Sequence, residues 1–387
     1  MVGLNLKERK FYLSCFIIFI FFLPATINGS ALNMDNHSSM YDIMSCTNQG
    51  QSEDFTAYED GILYQYVYGN LVLTNITNPK KPLTISQITI DFPTSTTNFY
   101  VADGYAYFVT FDNVLYAYNC SDPTNIVKVY DTEFEYCIRD IVVKDGLMYV
   151  TQDKNVTIYN AQKYGIVKIG EVSVPCPYFL MFLVVHKGFA YAYNWQGDFA
   201  IVNVTDHTDP IYNSTWSYNS CRIISQIGDY IFEILSGSGF RVTNISIPGE
   251  PEIITYVSTN NFLSSEEDIY YFNNYIYLLY DKGLAIYDAT DMLNITEVCV
   301  FQLPNYENQL FTSLVVVDDY VYITNSKERN QLYIIDVSNP AFPEHIYPFS
   351  AKIDSFEVIF LSVTGAIFVG FIIVIVINVI QNKNKLP

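Results

Sequence analysis

Four histidines, seven cysteines and 40 acidic residues against 20 basic ones are the groups with which this chain could do chemistry. His37, His186, His207 and His345 have no metal-ligand spacing between them, and no serine or cysteine nucleophile motif accompanies them. The loop Asp206-His207-Thr208-Asp209 carries two carboxylates but lacks the D-x-D-x-D-G run of a calcium loop, so it reads as a turn. No glycine-rich phosphate loop follows a strand. The sequence therefore predicts no catalytic, cofactor-binding or metal-ligating residue and a protein that is not an enzyme. Clustered acids of raised pKa around a channel would reopen that reading. A net charge of −20 argues against nucleic acid as a partner, because phosphates attract basic patches.

Cysteine offers a second chemistry. Cys15 lies in an apolar leader, which leaves Cys46, Cys120, Cys137, Cys176, Cys221 and Cys299, an even number that suits disulfides in an exported domain. Strand phasing puts Cys137, Cys176 and Cys221 at one end of the domain and Cys120 near the other. Cys176 is thus expected to pair with Cys137 or Cys221, and Cys120 not with Cys137.

The elements that would position these groups form a repeat. An L-x-I-x-D core recurs with its closing Asn or Asp at 75, 119, 160, 203, 244, 288 and 336. Ahead of each lies an aromatic at Tyr64, Tyr107, Tyr149, Tyr191, Phe232, Tyr277 or Tyr322, preceded by a turn dipeptide such as Asp103-Gly104 or Asn273-Asn274. Gly, Asn and Asp tolerate the positive φ of two-residue hairpins, so each dipeptide joins two strands. The residue before each aromatic is also apolar, from Leu63 to Val321, so both faces of the strand must be buried. Sheets with two buried faces and a period of about 43 residues predict an all-β fold, a seven-bladed β-propeller of four-stranded antiparallel blades. In one repeat the strands read Asp140–Lys144, Leu147–Gln152, Asn155–Asn160 and Gly165–Val174.

Leu332 to Pro340 (LYIIDVSNP) closely resembles the repeat of the LVIVD family of β-propellers, and Leu71 to Pro79 (LVLTNITNP) is nearly as close. Tyr322-Ile-Thr-Asn325 is similar to the related YVTN repeat of surface propellers. The resemblance covers about residues 55–350 and degenerates at 156–164. It implies a propeller, often on surface or secreted proteins, and implies no enzyme activity.

The rest of the chain reads as address and anchor. Residues 1–30 form a signal peptide with a basic start at Lys7, Arg9 and Lys10, and 31–54 form a polar leader. The propeller takes 55–350 and a juxtamembrane linker 351–357. Residues 358–380 form an uncharged 23-residue stretch long enough for a transmembrane helix, and 381–387 a cytoplasmic tail. Ser362, Ala366 and Gly370 make a small-residue face through which two such helices can pair as a weak homodimer.

Sequons occur at Asn28, Asn36, Asn75, Asn119, Asn155, Asn203, Asn213, Asn244 and Asn294. Asn75, Asn119, Asn203 and Asn244 fill the repeat's own Asp slot, whereas Asn36, Asn155, Asn213 and Asn294 are the expected acceptors. Most of the 34 Tyr and 27 Phe suit core positions; Tyr178 and Tyr306 stand in loops, where contact with a ligand is open to them.

These features predict a single-pass surface protein with an extracellular propeller that binds a protein or glycan ligand without catalysis. A surface coat or scaffold is the alternative, and a propeller-type hydrolase the third reading. Pro175–Phe179 and Asn260–Asp268 depart most from the repeat and are the expected contact segments. Protease added to intact cells should remove residues 55–350 and spare the C-terminal tail; full protection of the propeller would overturn this topology.

Overall fold

The tight turns set the fold. Both residues have positive φ at Asp60-Gly61, Asp103-Gly104, Asp145-Gly146, Lys187-Gly188 and Asn273-Asn274, the conformation that matches the twist of two paired strands. At Gly228-Asp229 and Asp318-Asp319 only the first residue does. Each hairpin joins the first two strands of a four-stranded antiparallel sheet, and the sheets follow one another along the chain without exchanging a strand. The computed structural model describes residues 55–350, apart from short stretches at 68, 93, 163, 195, 218–220, 236–237, 260–265, 305, 307–310 and 326–330, together with three two-residue strands nearer the N-terminus. The signal segment, Asn36, the linker, the 358–380 segment with Ser362, Ala366 and Gly370, and the tail lie outside the described residues. No helix among the described residues is long and apolar enough to cross a membrane.

The sheets are seven blades, at 55–89, 96–133, 138–173, 180–217, 221–257, 266–302 and 311–350. In blade 3 the strands are Ile138–Lys144, Leu147–Gln152, Asn155–Gln162 and Gly165–Ser173. The first strand of each blade is innermost, and that of blade 7 packs on that of blade 1 to close the ring. Ser45–Cys46 adds a fifth strand to the inner edge of blade 1, with Cys46 opposite Phe55. Every pairing of third and fourth strands breaks register at an equivalent place, from Leu73/Thr74 in blade 1 to Ile334/Ile335 in blade 7, and such bulges add the twist that a blade needs.

The core lies between blades. The landmark aromatics and the apolar residues before them are all buried, which is the two-faced burial that the pattern requires. One cluster runs through blades 5, 6, 7 and 1, including Leu63 and Ile76 of blade 1 beside Leu314 and Val337 of blade 7. Others join blades 2 to 4, blades 1 and 2, and blades 4 and 5.

The closing Asn or Asp of the repeat works as a clasp. Asn75 Oδ1 accepts the Thr77 N–H at 2.9 Å and its hydroxyl at 2.7 Å. The same pair of bonds forms at Asn119 with Ser121, Asn203 with Thr205 and Asp336 with Ser338. The next residue's N–H then donates to a carbonyl of the blade's own hairpin, as Ile76 does to Gly61 at 2.9 Å and Val337 to Asp319 at 2.8 Å. Three residues on, Asn78, Asp122, Asp206, Asp291 or Asn339 forms a second turn of the same kind. The D-x-S-N-P run of the last repeat is thus two tandem Asx turns. The hydroxyl bonds hold Asp122, Asp206 and Asp336 below the usual carboxylate range. Blade 3, with Asn160-Ala161-Gln162, has no hydroxyl to complete the clasp, in keeping with the degenerate stretch there.

The clasp fixes residue size at the hairpin. A Cβ on Gly188 would come within 2.5 Å of Thr205 Cγ2, at a φ of 76°. Gly188→Ala should destabilise the propeller by about 1–3 kcal/mol, combining overpacking with left-handed strain. Urea unfolding checks this, and adding Thr205→Ser, which removes the methyl but keeps the hydroxyl, should recover part of the loss.

Candidate functional site

Antiparallel alternation puts the hairpins and clasps at one end of the propeller and the blade-to-blade connections at the other. The connection end of blades 3 and 4 carries a braced aromatic surface. Asp153, at φ 55° in the tight turn between the second and third strands of blade 3, donates its N–H to Cys137 O at 3.3 Å. Its own carbonyl accepts the Leu180 N–H at 2.8 Å. One residue therefore ties the connection entering blade 3 to the connection leaving it. Lys154 Nζ donates to Pro177 O at 3.3 Å from outside the 175–179 loop, and Cys176 Sγ donates to Tyr178 O at 2.9 Å within it. Three rings stand out of this framework: Tyr136 is 50% exposed, Tyr178 40% and Phe179 43%. Phe111, 54% exposed, shows a further ring at the same end in blade 2. Rigid aromatics on a fixed backbone offer stacking area at little entropic cost, the property of carbohydrate platforms and protein hot spots.

The cysteine expectation is corrected here. Cys137 and Cys176 are both thiols, and Cys176 Sγ donates to the Tyr178 carbonyl. Cys120 is a buried thiol at the hairpin end, where its N–H bonds Gly104 O. Two contact expectations also change. Tyr306 packs half-buried against the core, and Asp268 lies in the innermost strand of blade 6, Glu266–Phe272, rather than in a loop. Residues 260–265 lie outside the described residues. Asn155 begins a strand, Asn213 is exposed in the outer strand of blade 4, and Asn294 is exposed beside a rim groove of about 330 Å³ between blades 5 and 6.

The buried ionisable groups serve the joints between blades. Asp140 Oδ1 accepts from Ile141 N at 2.9 Å and Asn98 Nδ2 at 2.8 Å, and Oδ2 accepts from Leu183 N at 2.7 Å, which links blades 2, 3 and 4. Asp268, at the equivalent place in blade 6, accepts from Leu314 N of blade 7 at 2.9 Å. Glu59 accepts the Gly104 N–H of blade 2 at 2.9 Å. His186 ends the inner strand of blade 4, buried, and meets Asp229 of blade 5 at 2.7 Å. His207 lies edge-on to Tyr149, and His345 lies beside Tyr333 in the outer strand of blade 7. The structure brings no two described histidines together, and no group of three or more His, Cys, Asp or Glu among the described residues could hold a metal.

An ion pair that the sequence reading missed lies inside blade 5. Arg241 grips Glu233 through Nε at 2.6 Å and Nη2 at 2.5 Å, with Thr243 adding its hydroxyl at 2.9 Å. The pair lies in the layer facing Tyr191, Tyr193 and Phe199 of blade 4. Its signal was one charge of each sign inside two apolar runs, Tyr230–Leu235 and Gly239–Asn244, that a hairpin sets face to face.

A closed ring of seven four-stranded antiparallel blades defines a β-propeller. Residues 312–347 match the LVIVD repeat, so the seventh blade carries that repeat. Among solved structures, Kluyveromyces lactis Hsv2 is 10% identical, with a TM-score of 0.55 over 84% of this chain and 99% of that one. A candidate 6-phosphogluconolactonase from Bacteroides fragilis is 11% identical, with a TM-score of 0.56 over 82% and 96%. Sqt1 of Saccharomyces cerevisiae is 10% identical, with a TM-score of 0.52 over 83% and 84%. These likenesses concern the fold. No curated protein matches the chain by sequence.

Burial pushes the carboxyls of Asp140 and Glu59 up to about 7. In the unfolded chain both titrate near ~4, so between about pH 4 and 7 the folded state holds more protons and stability falls as pH rises. Asp140→Asn should remove part of that slope and the pair with Glu59→Gln most of it. Urea midpoints at pH 5 and 7.5 check this; an unchanged slope in the double variant would show that both groups are ionised throughout.

Proposed function

We propose that the propeller is a non-catalytic binding module, held at the cell surface by its C-terminal segment, whose ligand docks on the aromatic end of blades 3 and 4. The braced 175–179 loop with Tyr178 and Phe179 carries this reading. Both rings are partly exposed, on backbone fixed by bonds to Asp153 and Lys154. A ligand of protein or glycan chemistry suits them, because both are recognised by aromatic stacking with few charges. The buried acids support the non-catalytic reading. Asp140 spends both oxygens on N–H donors from its own and neighbouring blades, which leaves it occupied as a structural acceptor. The candidate lactonase among the similar folds shares 11% of residues, and fold alone does not transfer its activity.

A second reading, lateral packing as a coat, draws on apolar side chains along the outer rim. Leu83, Ile211 and Tyr256 are each more than half exposed on the outermost strands of blades 1, 4 and 5.

Cells displaying the full chain can be scored for capture of glycan-coated and protein-coated beads. Tyr178→Ala with Phe179→Ala should weaken capture by on the order of 30-fold, the effect of losing a hot spot, with the unfolding midpoint unchanged. Capture that survives this variant but fails in Leu83→Asp with Ile211→Asp would favour the coat. Turnover of a glycan by the purified chain would overturn both.

A further inference from the structure

Four of the seven repeat-closing positions are also N-glycosylation sequons: Asn75-Ile76-Thr77, Asn119-Cys120-Ser121, Asn203-Val204-Thr205 and Asn244-Ile245-Ser246. The repeat alone explains an acceptor followed two residues later by a hydroxyl, because the clasp needs both. It does not explain the choice of Asn, since Asp288 and Asp336 close blades 6 and 7 in the same way. What Asn adds is an amide nitrogen. In all four cases Oδ1 is the atom engaged with the residue two ahead, and Nδ2 donates to none of the described residues. Each side chain reaches solvent in part. A glycan on Nδ2 leaves the amide carbonyl in place as an acceptor, so the clasp and the modification are compatible in one residue. Asn155 differs, for Thr157 is buried and gives its hydroxyl to Glu171 at 3.0 Å.

We propose that Asn75, Asn119, Asn203 and Asn244 are N-glycosylated, placing glycans around the hairpin end of blades 1, 2, 4 and 5, opposite the aromatic site. The inference rests on the exported, extracellular reading. The Nδ2–C1 bond forms as the sugar–phosphate bond of a lipid-diphosphate-linked oligosaccharide breaks, and the amide gives up one proton. Attachment occurs at the end that already carries Asp60, Asp103, Asp145, Asp229, Asp318 and Asp319 in its hairpins. Charge and sugar together keep that end hydrated and leave the aromatic end as the exposed adhesive one.

The test is glycopeptide mapping of the full chain made in a eukaryotic secretory pathway, with glycan release by a peptide-N-glycosidase in heavy-oxygen water, which hydrolyses the Cγ–Nδ2 bond and converts each occupied Asn to labelled Asp. Heavy label at the four clasp positions is the expected result. Asn75→Asp should then lose one glycan and keep its unfolding temperature, whereas Thr77→Ala should lose the glycan and unfold several degrees lower. Asp288→Asn creates the sequon with Ala289 and Thr290 in the same geometry and should gain one glycan without loss of fold. Label at Asn155, Asn213 or Asn294 with none at the clasps overturns the inference and leaves the exported reading standing. Label nowhere on the chain overturns the exported reading and the inference together.

Discussion

Six of the seven blades share one bond pattern, in which an Asn or Asp side chain closes a turn on its own chain while the next N–H reaches the blade's hairpin. Without it the connection from third to fourth strand would be an open loop, free to slide. With it, the loop, the hairpin and the strand register become a single rigid corner. Ile76, Cys120, Ala161, Val204, Ile245, Ala289 and Val337 all make the reach, even in blade 3 where the side-chain half of the pattern is reduced. The register break between third and fourth strands falls beside that corner, so its geometry is passed into the twist of each sheet.

Joints between blades follow a different logic. Their bulk is apolar and non-directional, and a few polar bonds supply alignment. Asp140 and Asp268 each seize a backbone N–H of the following blade at the middle of its inner strand. Thr56 and Thr324 bond across the ring closure, with Gln65 on the same hydroxyl at 3.4 Å. The Glu233–Arg241 pair sits where its desolvation is repaid only by good geometry and the added Thr243 bond. A ring of seven similar wedges needs such features, because apolar contact alone would tolerate small rotations at every joint.

The parts of this fold that were legible in the sequence are those made within one repeat. Hairpins, strand limits and the two-faced strands depend on residues less than about fifteen positions apart, and the pattern 63–64 or 321–322 states them directly. What was not legible depends on which blade faces which, and at what height. Asp268 looked like the end of a contact segment because its acceptor role needs Leu314. Cys176 looked like half of a disulfide because sequence places cysteines at one end without giving the direction of their side chains. Of the aromatic site, Tyr178 and its loop were visible as a departure from the repeat. The bracing Asp153 was not, since it joins the site only through backbone bonds between two connections.

No blade borrows a strand from another, which gives the chain an unusual indifference to its own starting point. Blade 7 meets blade 1 through the same sort of side-chain joint that separates any other pair. Joining residue 350 to residue 55 and opening the chain in another connection would break no ladder of the seven four-stranded sheets. The order of blades is circular information written on a linear polymer, and the place where the polymer begins to spell it is arbitrary.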